Sequence, residues 1–172
     1  GSSSIKACLL NADTGVLVSS AGSPEQELKI NSPQVGWAEQ HPETWWQHAI
    51  IATKMILSKI SGEPFEVIGI GISYQMHGLV MVDRNHEVLY PSIIWCDSRA
   101  VEIGKKAFSD LGGDYCLSNY LNSPGNFTAS KLKWVKENKP DIYSKIYKIM
   151  LPGDYVAMKL TGKILTTISG QR

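Results

Sequence analysis

The sequence predicts an α/β domain in which helices pack on a mixed sheet. Short apolar runs separated by turn residues open the chain, a long amphipathic helix and a continuous apolar strand follow, and the rest is mostly helical. A Rossmann domain would need strict strand–helix alternation and a G-x-G-x-x-G turn, and the sequence has neither. That fold is therefore disfavoured.

Composition limits the function classes. The chain has 172 residues, of which 43% are apolar, and this is enough for one substantial core. Its 17 basic and 16 acidic residues give a net charge of +1, which favours neither nucleic acid nor an anionic membrane as a partner. A small neutral or anionic ligand fits this balance better.

Cysteine usage and apolar runs bear on the compartment. Cys8, Cys96 and Cys116 are odd in number and lack CxxC spacing, so neither a disulfide framework nor a zinc site is predicted. We therefore expect a reducing, cytoplasmic location. No apolar run is long enough to span a bilayer, and we expect the natural protein to begin before Gly1.

Three antiparallel strands are predicted first. Residues 5–10 and 16–19 flank residues 11–15, whose Asp and Gly suit a hairpin turn. Residues 27–30 alternate polar and apolar side chains, which predicts the third strand.

A long helix and a buried strand come next. Pro42 suits the first turn of a helix that runs to about Ile60, and its broad apolar stripe indicates deep burial. Residues 67–72 form a continuous apolar run, which predicts a strand buried on both faces. The polar loop that follows such a strand is a typical place for function.

The second half is predicted to hold a hairpin and then helices. Residues 79–82 and 88–90 flank a turn, and a short strand follows at residues 93–95. Asp97 is expected to start a helix, and helical periodicity returns at residues 128–137 and 154–160.

Two groups of polar residues lie where strands are predicted to end. Gln75, Met76 and His77 offer an amide, a thioether and an imidazole, which suit a ligand with vicinal hydroxyls. Trp95 and Asp97 offer an aromatic face and a carboxylate, a combination suited to a polyol. Structural interpretations stay open: a loop histidine, a core tryptophan, and an aspartate that caps a helix.

Hydroxyl-bearing residues open the chain. Backbone amides, hydroxyls and one ammonium group can surround an anion, which predicts a phosphate-binding hairpin made by Gly1, Ser2, Ser3, Ser4 and Lys6. A linker is the alternative interpretation. Asn126, in a turn before a predicted helix, is a further candidate amide contact. No Ser-His-Asp set, metal cluster or close carboxylate pair is predicted.

Taken in order, six segments resemble the FGGY family of sugar kinases, and most closely its xylulose kinases. The segments are Gly1-Ser-Ser-Ser-Ile-Lys6, Trp37-x-Glu39-Gln40-x-Pro42-x-x-Trp45-Trp46, Gln75-Met76-His77-Gly78, Trp95-x-Asp97-x-Arg99, Phe127-Thr-Ala-Ser-Lys-Leu132-x-Trp134 and Leu151-Pro152-x-Asp154-Tyr155. The resemblance runs nearly from end to end of the chain.

The resemblance implies a ribonuclease H-like fold of the actin and hexokinase type, with residues 1–172 forming part of the N-terminal domain. It implies that the nucleotide domain and the catalytic aspartate lie beyond Arg172, that a metal-linked aspartate precedes Gly1, and that this chain alone is inactive. A homodimer stays open.

The implied reaction is transfer of the γ-phosphate of ATP, with Mg²⁺, to a ketose, converting D-xylulose to D-xylulose 5-phosphate. The residues implied in sugar binding are Gln75, Met76, His77, Trp95, Asp97 and Asn126, and those implied near the phosphates are Gly1, Ser2, Ser3, Ser4 and Lys6. The open alternatives are a kinase for ribulose, glycerol or a related substrate, and a non-catalytic sugar-binding domain.

Overall fold

Short strands and helices follow one another along the chain. The computed structural model describes residues 1–61, 65–120 and 122–167. The strands in these ranges are Ile5–Leu10 (β1), Leu17–Ser23 (β2), Glu39–Gln40 (β3), Val80–Val82 (β4), Ser92–Ile93 (β5) and Lys148–Met150 (β6). The helices are Pro42–Ser58 (α1), Val101–Leu111 (α2), Gly113–Tyr120 (α3), Thr128–Asn138 (α4), Pro140–Tyr143 (α5) and Pro152–Thr161 (α6), with a 3₁₀ turn at Pro124–Asn126.

The predicted opening hairpin is confirmed. β1 and β2 pair antiparallel, from the Ile5–Ser23 pair to the Leu10–Leu17 pair. Asn11 holds the turn, since its Oδ1 accepts hydrogen bonds from the N–H groups of Asp13 and Thr14 at 3.0 and 2.9 Å.

The remaining strands pair across long stretches of sequence. β3 pairs with β5 and β4 pairs with β6, both antiparallel, and the Leu79–Ile93 bridge links the two ladders. The described residues thus form three two-stranded ladders, and the single mixed sheet stays a prediction.

Two predicted strands are wrong in the described residues. Residues 27–30 form no strand, because Leu28 makes a single backbone hydrogen bond to Ser3, of 2.7 Å, instead of a ladder. Residues 67–72 also form no strand, and Val67, Ile68 and Ile70 are exposed. The run has the apolar residues of a buried strand, but it pairs with no other strand of the described ranges, and its two glycines weaken any strand that stands alone.

The helices agree better with their sequence patterns. α1 begins at Pro42 as predicted, with the His41 side chain accepting from the N–H of Glu43 at 3.3 Å, and it ends close to the predicted residue. α4 and α6 are also confirmed, and α6 ends at Gly162 with φ of +71°. α2 begins four residues later than predicted, because the Asp97 carboxylate is used elsewhere.

β4 separates two apolar clusters. Val80 and Val82 face one cluster with Trp45 of α1, and Met81 faces the other with Trp134 of α4, as alternation along a strand requires. Residues 79–82 are fully buried, so the loop before them has a rigid support. In the described ranges, no helix combines the length and apolarity that crossing a membrane would need.

Candidate functional site

A cavity of about 470 Å³ lies at the start of the chain. Its lining consists of Gly1, Ser2, Ser3, Ser4, Lys6 and Ser73. All predicted phosphate-binding residues therefore line one cavity, and Ser73 is an addition that the sequence did not predict. Hydroxyls, backbone amides and one ammonium suit phosphate oxygens, whereas the lining offers no carboxylate for a magnesium ion.

Beyond this cavity, the other described residues also form no metal site. Among the residues that the structure describes, no group of three or more His, Cys, Asp or Glu could hold a metal ion. The residues present thus fit the phosphate groups of a nucleotide and do not by themselves form a Mg²⁺ site.

Gln40 fixes the hydroxyl-rich segment to the body of the domain. Its Nε2 donates to the carbonyl oxygen of Ser2 at 2.6 Å, and its Oε1 accepts from the indole of Trp45 at 3.1 Å. Trp45 is buried in α1, so Ser2 is tied to the core through a single well-packed amide.

Trp95 brings the two predicted binding regions together. Its Nε1 donates to Ser2 Oγ at 3.2 Å, and its backbone N–H donates to Gln75 Oε1 at 3.3 Å. Its carbonyl oxygen accepts from Asn126 Nδ2, and the buried Oδ1 of Asn126 has no partner in the described part of the chain. The candidate phosphate cavity and the Gln75–His77 loop therefore meet at one tryptophan.

His77 is half-buried and presents its ring at the same loop. The imidazole stacks on Phe127 with a centroid separation of 4.8 Å. Within the described ranges, neither ring nitrogen has a hydrogen-bond partner, so both can serve a ligand. Burial and then the charge of Lys131 lower the pKa of His77, which keeps the ring neutral near pH 7. Met76, beside it, is 65% exposed.

Asp97 is placed differently from Trp95. It is buried, and its Oδ2 accepts from the N–H of Ala38 at 2.5 Å and from Arg99 Nη2 at 2.7 Å. Its Oδ1 accepts from the backbone N–H of Arg99 at 2.9 Å. A sugar hydroxyl would have to compete with these hydrogen bonds for the Asp97 carboxylate. The role that stays predicted for Asp97 is therefore to shape the pocket without contacting the sugar.

Arg99 links Asp97 to Trp37 and Glu39, which precede α1 in the sequence. Its Nη2 lies 2.8 Å from Glu39 Oε1, and its guanidinium stacks 3.9 Å from the ring centroid of Trp37 and 4.9 Å from that of Trp134. Trp37 and Glu39 belong to the second of the six segments that resemble the FGGY family, and the aromatic ring and the carboxylate could also have contacted a sugar. Here they hold Arg99 instead.

Lys131 lies against the candidate site, and the sequence did not single it out. It is fully buried, and its Nζ donates to the carbonyl oxygen of His77 at 2.7 Å. The signal was present, because Lys131 lies on the same helical face as the buried Trp134 and Val135. A lysine on an apolar face must have a polar partner.

Comparison with known proteins shows which family the chain belongs to. The model of the N-terminal domain of the FGGY family of carbohydrate kinases matches residues 1–170. The chain belongs to this family. As an FGGY-family domain, it has the fold that these kinases share, and the predicted resemblance to the family is confirmed.

Curated relatives of this FGGY domain include the xylulose kinases of Klebsiella pneumoniae and Lactococcus lactis. The first is 34% identical over 169 residues, which is 98% of this chain and 34% of that protein. The second is 35% identical over 173 residues, which is 98% of this chain and 33% of that protein. The chain thus spans about a third of the length of these relatives.

Solved structures agree with the sequence comparison. A structure described as a "xyloylose kinase" from Brucella ovis is 34% identical with a TM-score of 0.83, over 94% of this chain and 33% of that one. The xylulose kinase from Rhodospirillum rubrum, at 24% identity, has a TM-score of 0.85 over 95% of this chain and 34% of that one, which shows the fold alone.

Proposed function

We propose that the protein is an ATP-dependent sugar kinase that phosphorylates D-xylulose to D-xylulose 5-phosphate in the cytoplasm, with Mg²⁺. The support is that the curated relatives at 34% and 35% identity bear the name xylulose kinase. We also propose that the whole protein completes the mixed sheet of a ribonuclease H-like domain. A homodimer stays a prediction.

One residue carries the proposal at the level of geometry. Trp95 donates from Nε1 to Ser2 Oγ at 3.2 Å and from its backbone N–H to Gln75 Oε1 at 3.3 Å, so it links the hydroxyl-rich cavity to the loop that bears Met76 and His77. Phosphoryl transfer depends mainly on positioning and on charge stabilisation, so a phosphate cradle beside a polyol-binding loop is what a sugar kinase needs.

The residues divide into two tasks. His77 offers two ring nitrogens to sugar hydroxyls, Met76 packs on a carbon face, and the unpartnered Oδ1 of Asn126 can accept a hydroxyl hydrogen. The serines and Lys6 hold phosphate oxygens in place. When bound, ATP with Mg²⁺ would supply the phosphoryl group; the serines and Lys6 that line the cavity would hold its oxygens, and this lining offers no carboxylate for the metal.

The experiment is a substrate panel on the full-length protein. ADP release would be followed with D-xylulose, D-ribulose, glycerol and no sugar at matched concentrations. We expect the highest kcat/KM with D-xylulose. A maximum with ribulose or glycerol would overturn the substrate, and ADP release that no sugar stimulates would leave only a binding domain.

A histidine pair tests the sugar loop. We expect His77→Ala to lower kcat/KM for D-xylulose by about 100-fold, mainly through KM, because it removes directional contacts to the sugar. His86→Ala is the matched control, since His86 also has positive φ, of 65° against 60° for His77, but lies exposed in the turn at residues 83–86. Equal kinetics in both variants would contradict the role of His77.

A further inference from the structure

We propose that Lys131 is a positioning residue that holds the left-handed turn at His77, so that the imidazole is presented to the sugar. The proposal rests on the proposed function, because it concerns the same site. Its basis is the 2.7 Å hydrogen bond from Lys131 Nζ to the carbonyl oxygen of His77, which joins residues 54 positions apart.

The backbone at His77 needs an external hold. Its φ of 60° is a left-handed conformation that costs a residue with a Cβ on the order of 1 kcal/mol. His86 adopts φ of 65°, but there the turn is held locally, since Asp83 Oδ1 accepts from the N–H groups of Asn85 and Glu87 at 2.8 and 3.0 Å. At His77 the side-chain hold comes from a different element, α4.

The start of α4 grips both parts of His77. Phe127, the residue that precedes the helix, stacks on the imidazole ring, and Lys131, one turn later, bonds the main-chain carbonyl. The two gripping residues are fixed to each other, because the Lys131 N–H donates to the Phe127 carbonyl at 3.2 Å. Ring and backbone of His77 are thus set by one rigid unit.

Among the described residues, Lys131 has no ion-pair partner. Within the described part of the chain Nζ lies in no salt bridge, and both oxygens of the nearby Asp97 already accept from Arg99. A fully buried ammonium is costly, so a purely structural position would be better filled by an apolar side chain. The contact that remains to explain Lys131 is the one to His77.

Charges around Lys131 support the same interpretation. Burial lowers the pKa of Lys131 to about 8, against which Asp97 and Cys96 raise it, and Arg99 lowers it further. Among the described residues, these groups and His77 are the titratable or charged groups whose charge interacts with the ammonium. The charge of Lys131 in turn lowers the pKa of His77, after the larger effect of burial.

The first test is Lys131→Met in the full-length kinase. We expect KM for D-xylulose to rise by about tenfold or more, with kcat changed less and KM for ATP unchanged, because a loosened His77 weakens sugar contacts. Lys133→Met is the matched control, since Lys133 lies two residues along α4 but is 57% exposed and pairs with Glu137. An unchanged KM in Lys131→Met would overturn the proposal.

A second readout separates positioning from stability. Val135→Ala removes apolar contacts of α4 from the core without touching His77, so it should lower the Tm and leave KM for D-xylulose unchanged. NMR titration of the His77 ring should show a raised pKa in Lys131→Met and no shift in Val135→Ala. If the pKa of His77 shifts in Val135→Ala and stays unchanged in Lys131→Met, then Lys131 contributes only to stability, and the proposal is overturned.

If Lys131→Met does not fold, the wild-type pH profile decides. As pH rises through about 8, Lys131 loses its charge and donates a weaker hydrogen bond, so KM for D-xylulose should rise by about threefold. Lys131→Arg keeps its charge and should remove that rise. A flat wild-type profile, or a rise that persists in Lys131→Arg, would overturn the proposal.

These outcomes are distinguishable from failure of the proposed function. If no ketose is phosphorylated, the function fails, yet the NMR titration still tests the contact between Lys131 and His77. If D-xylulose is the substrate and His77→Ala impairs it while Lys131→Met does not, the function stands and the positioning role is excluded.

Discussion

Two buried cations, at Arg99 and Lys131, are compensated very differently. Arg99 bonds the carboxylates of Asp97 and Glu39 and stacks on two indoles, so its charge is matched inside the core. Lys131 bonds one neutral carbonyl oxygen. We therefore expect the Arg99 charge to be supported by its partners and the Lys131 charge to cost stability.

The stability of Lys131→Met should depend on pH in a defined direction. The folded-state pKa of about 8 lies below the ordinary 10.5, so the stability that Lys131 contributes grows as pH rises above 8 and is lost below it. Between pH 8 and 9.5, the free energy of unfolding of the wild type should rise by about 2 kcal/mol relative to that of Lys131→Met. Urea unfolding at both pH values measures this, with Lys133→Met expected to show no such trend.

At the scale of elements, α2 and the 3₁₀ turn approach so closely that only glycine fits between them. A Cβ added to Gly104 of α2 would overlap the backbone of Gly125 and the carbonyl oxygen of Pro124. The same turn carries Asn126, which bonds the carbonyl of Trp95. The packing of α2 thus sets the position of Asn126, a candidate site residue.

A pair of glycine substitutions tests this packing. Gly→Ala inside a helix normally stabilises by about 1 kcal/mol, but Gly104→Ala should destabilise by about 2 kcal/mol, because α2 must move away from the turn. Gly125→Ala is the control at the same interface, since its added Cβ would find only contacts of 3.8 Å or more. Thermal melts compare them, and equal Tm values would contradict the close approach.

Across the whole molecule, one carboxylate joins regions far apart in sequence. Glu43 of α1 accepts from Tyr155 Oη and Lys159 Nζ of α6, both at 2.9 Å. These residues are 112 and 116 positions away from Glu43. α1 also packs on the opening hairpin, so this contact ties the last described helix to the start of the chain.

Acid should weaken this tie. Partial burial alone would raise the pKa of Glu43, but hydrogen bonds from Lys159, Gln47 and Tyr155 outweigh it and leave the pKa below 4.5. The stability from Glu43 is therefore present above pH 4.5 and lost as pH falls through the lower folded-state value. Glu43→Gln should cost no more than about 1 kcal/mol at pH 7, because the pair is partly exposed, and this cost should shrink as the pH falls below 4.5. Urea unfolding measures this, and Glu102→Gln, in an exposed pair with Lys105, should show no change.

How much of this molecule the sequence predicts depends on how local the cause is. The turn at Asn11 and the start of α1 at Pro42 follow from neighbouring residues, and both were predicted. The strand predicted at residues 67–72 was wrong, because a strand requires a pairing partner and no local pattern specifies one. Asp97 shows the same limit: its pattern suits a helix cap, but Ala38, distant in sequence, takes its carboxylate.

The candidate site follows the same rule. The residue types at Ser2, Gln75, His77 and Trp95 predicted contacts to a phosphate or a polyol, and the family resemblance joined these residues into one candidate site; those contacts stay predictions. Their common meeting point at the Trp95 indole depends on tertiary contacts. Lys131 was missed because the helical pattern marks its face as buried without naming the carbonyl it would bind.

Because the Trp95 indole bonds Ser2 at the candidate site, intrinsic tryptophan fluorescence should report on binding there. Trp95 is exposed, whereas the other four tryptophans are buried or half-buried, so its emission should respond most to a bound molecule. Stopped-flow fluorimetry on the full-length protein, with the proposed sugar and nucleotide added separately, then measures which of the two binds first.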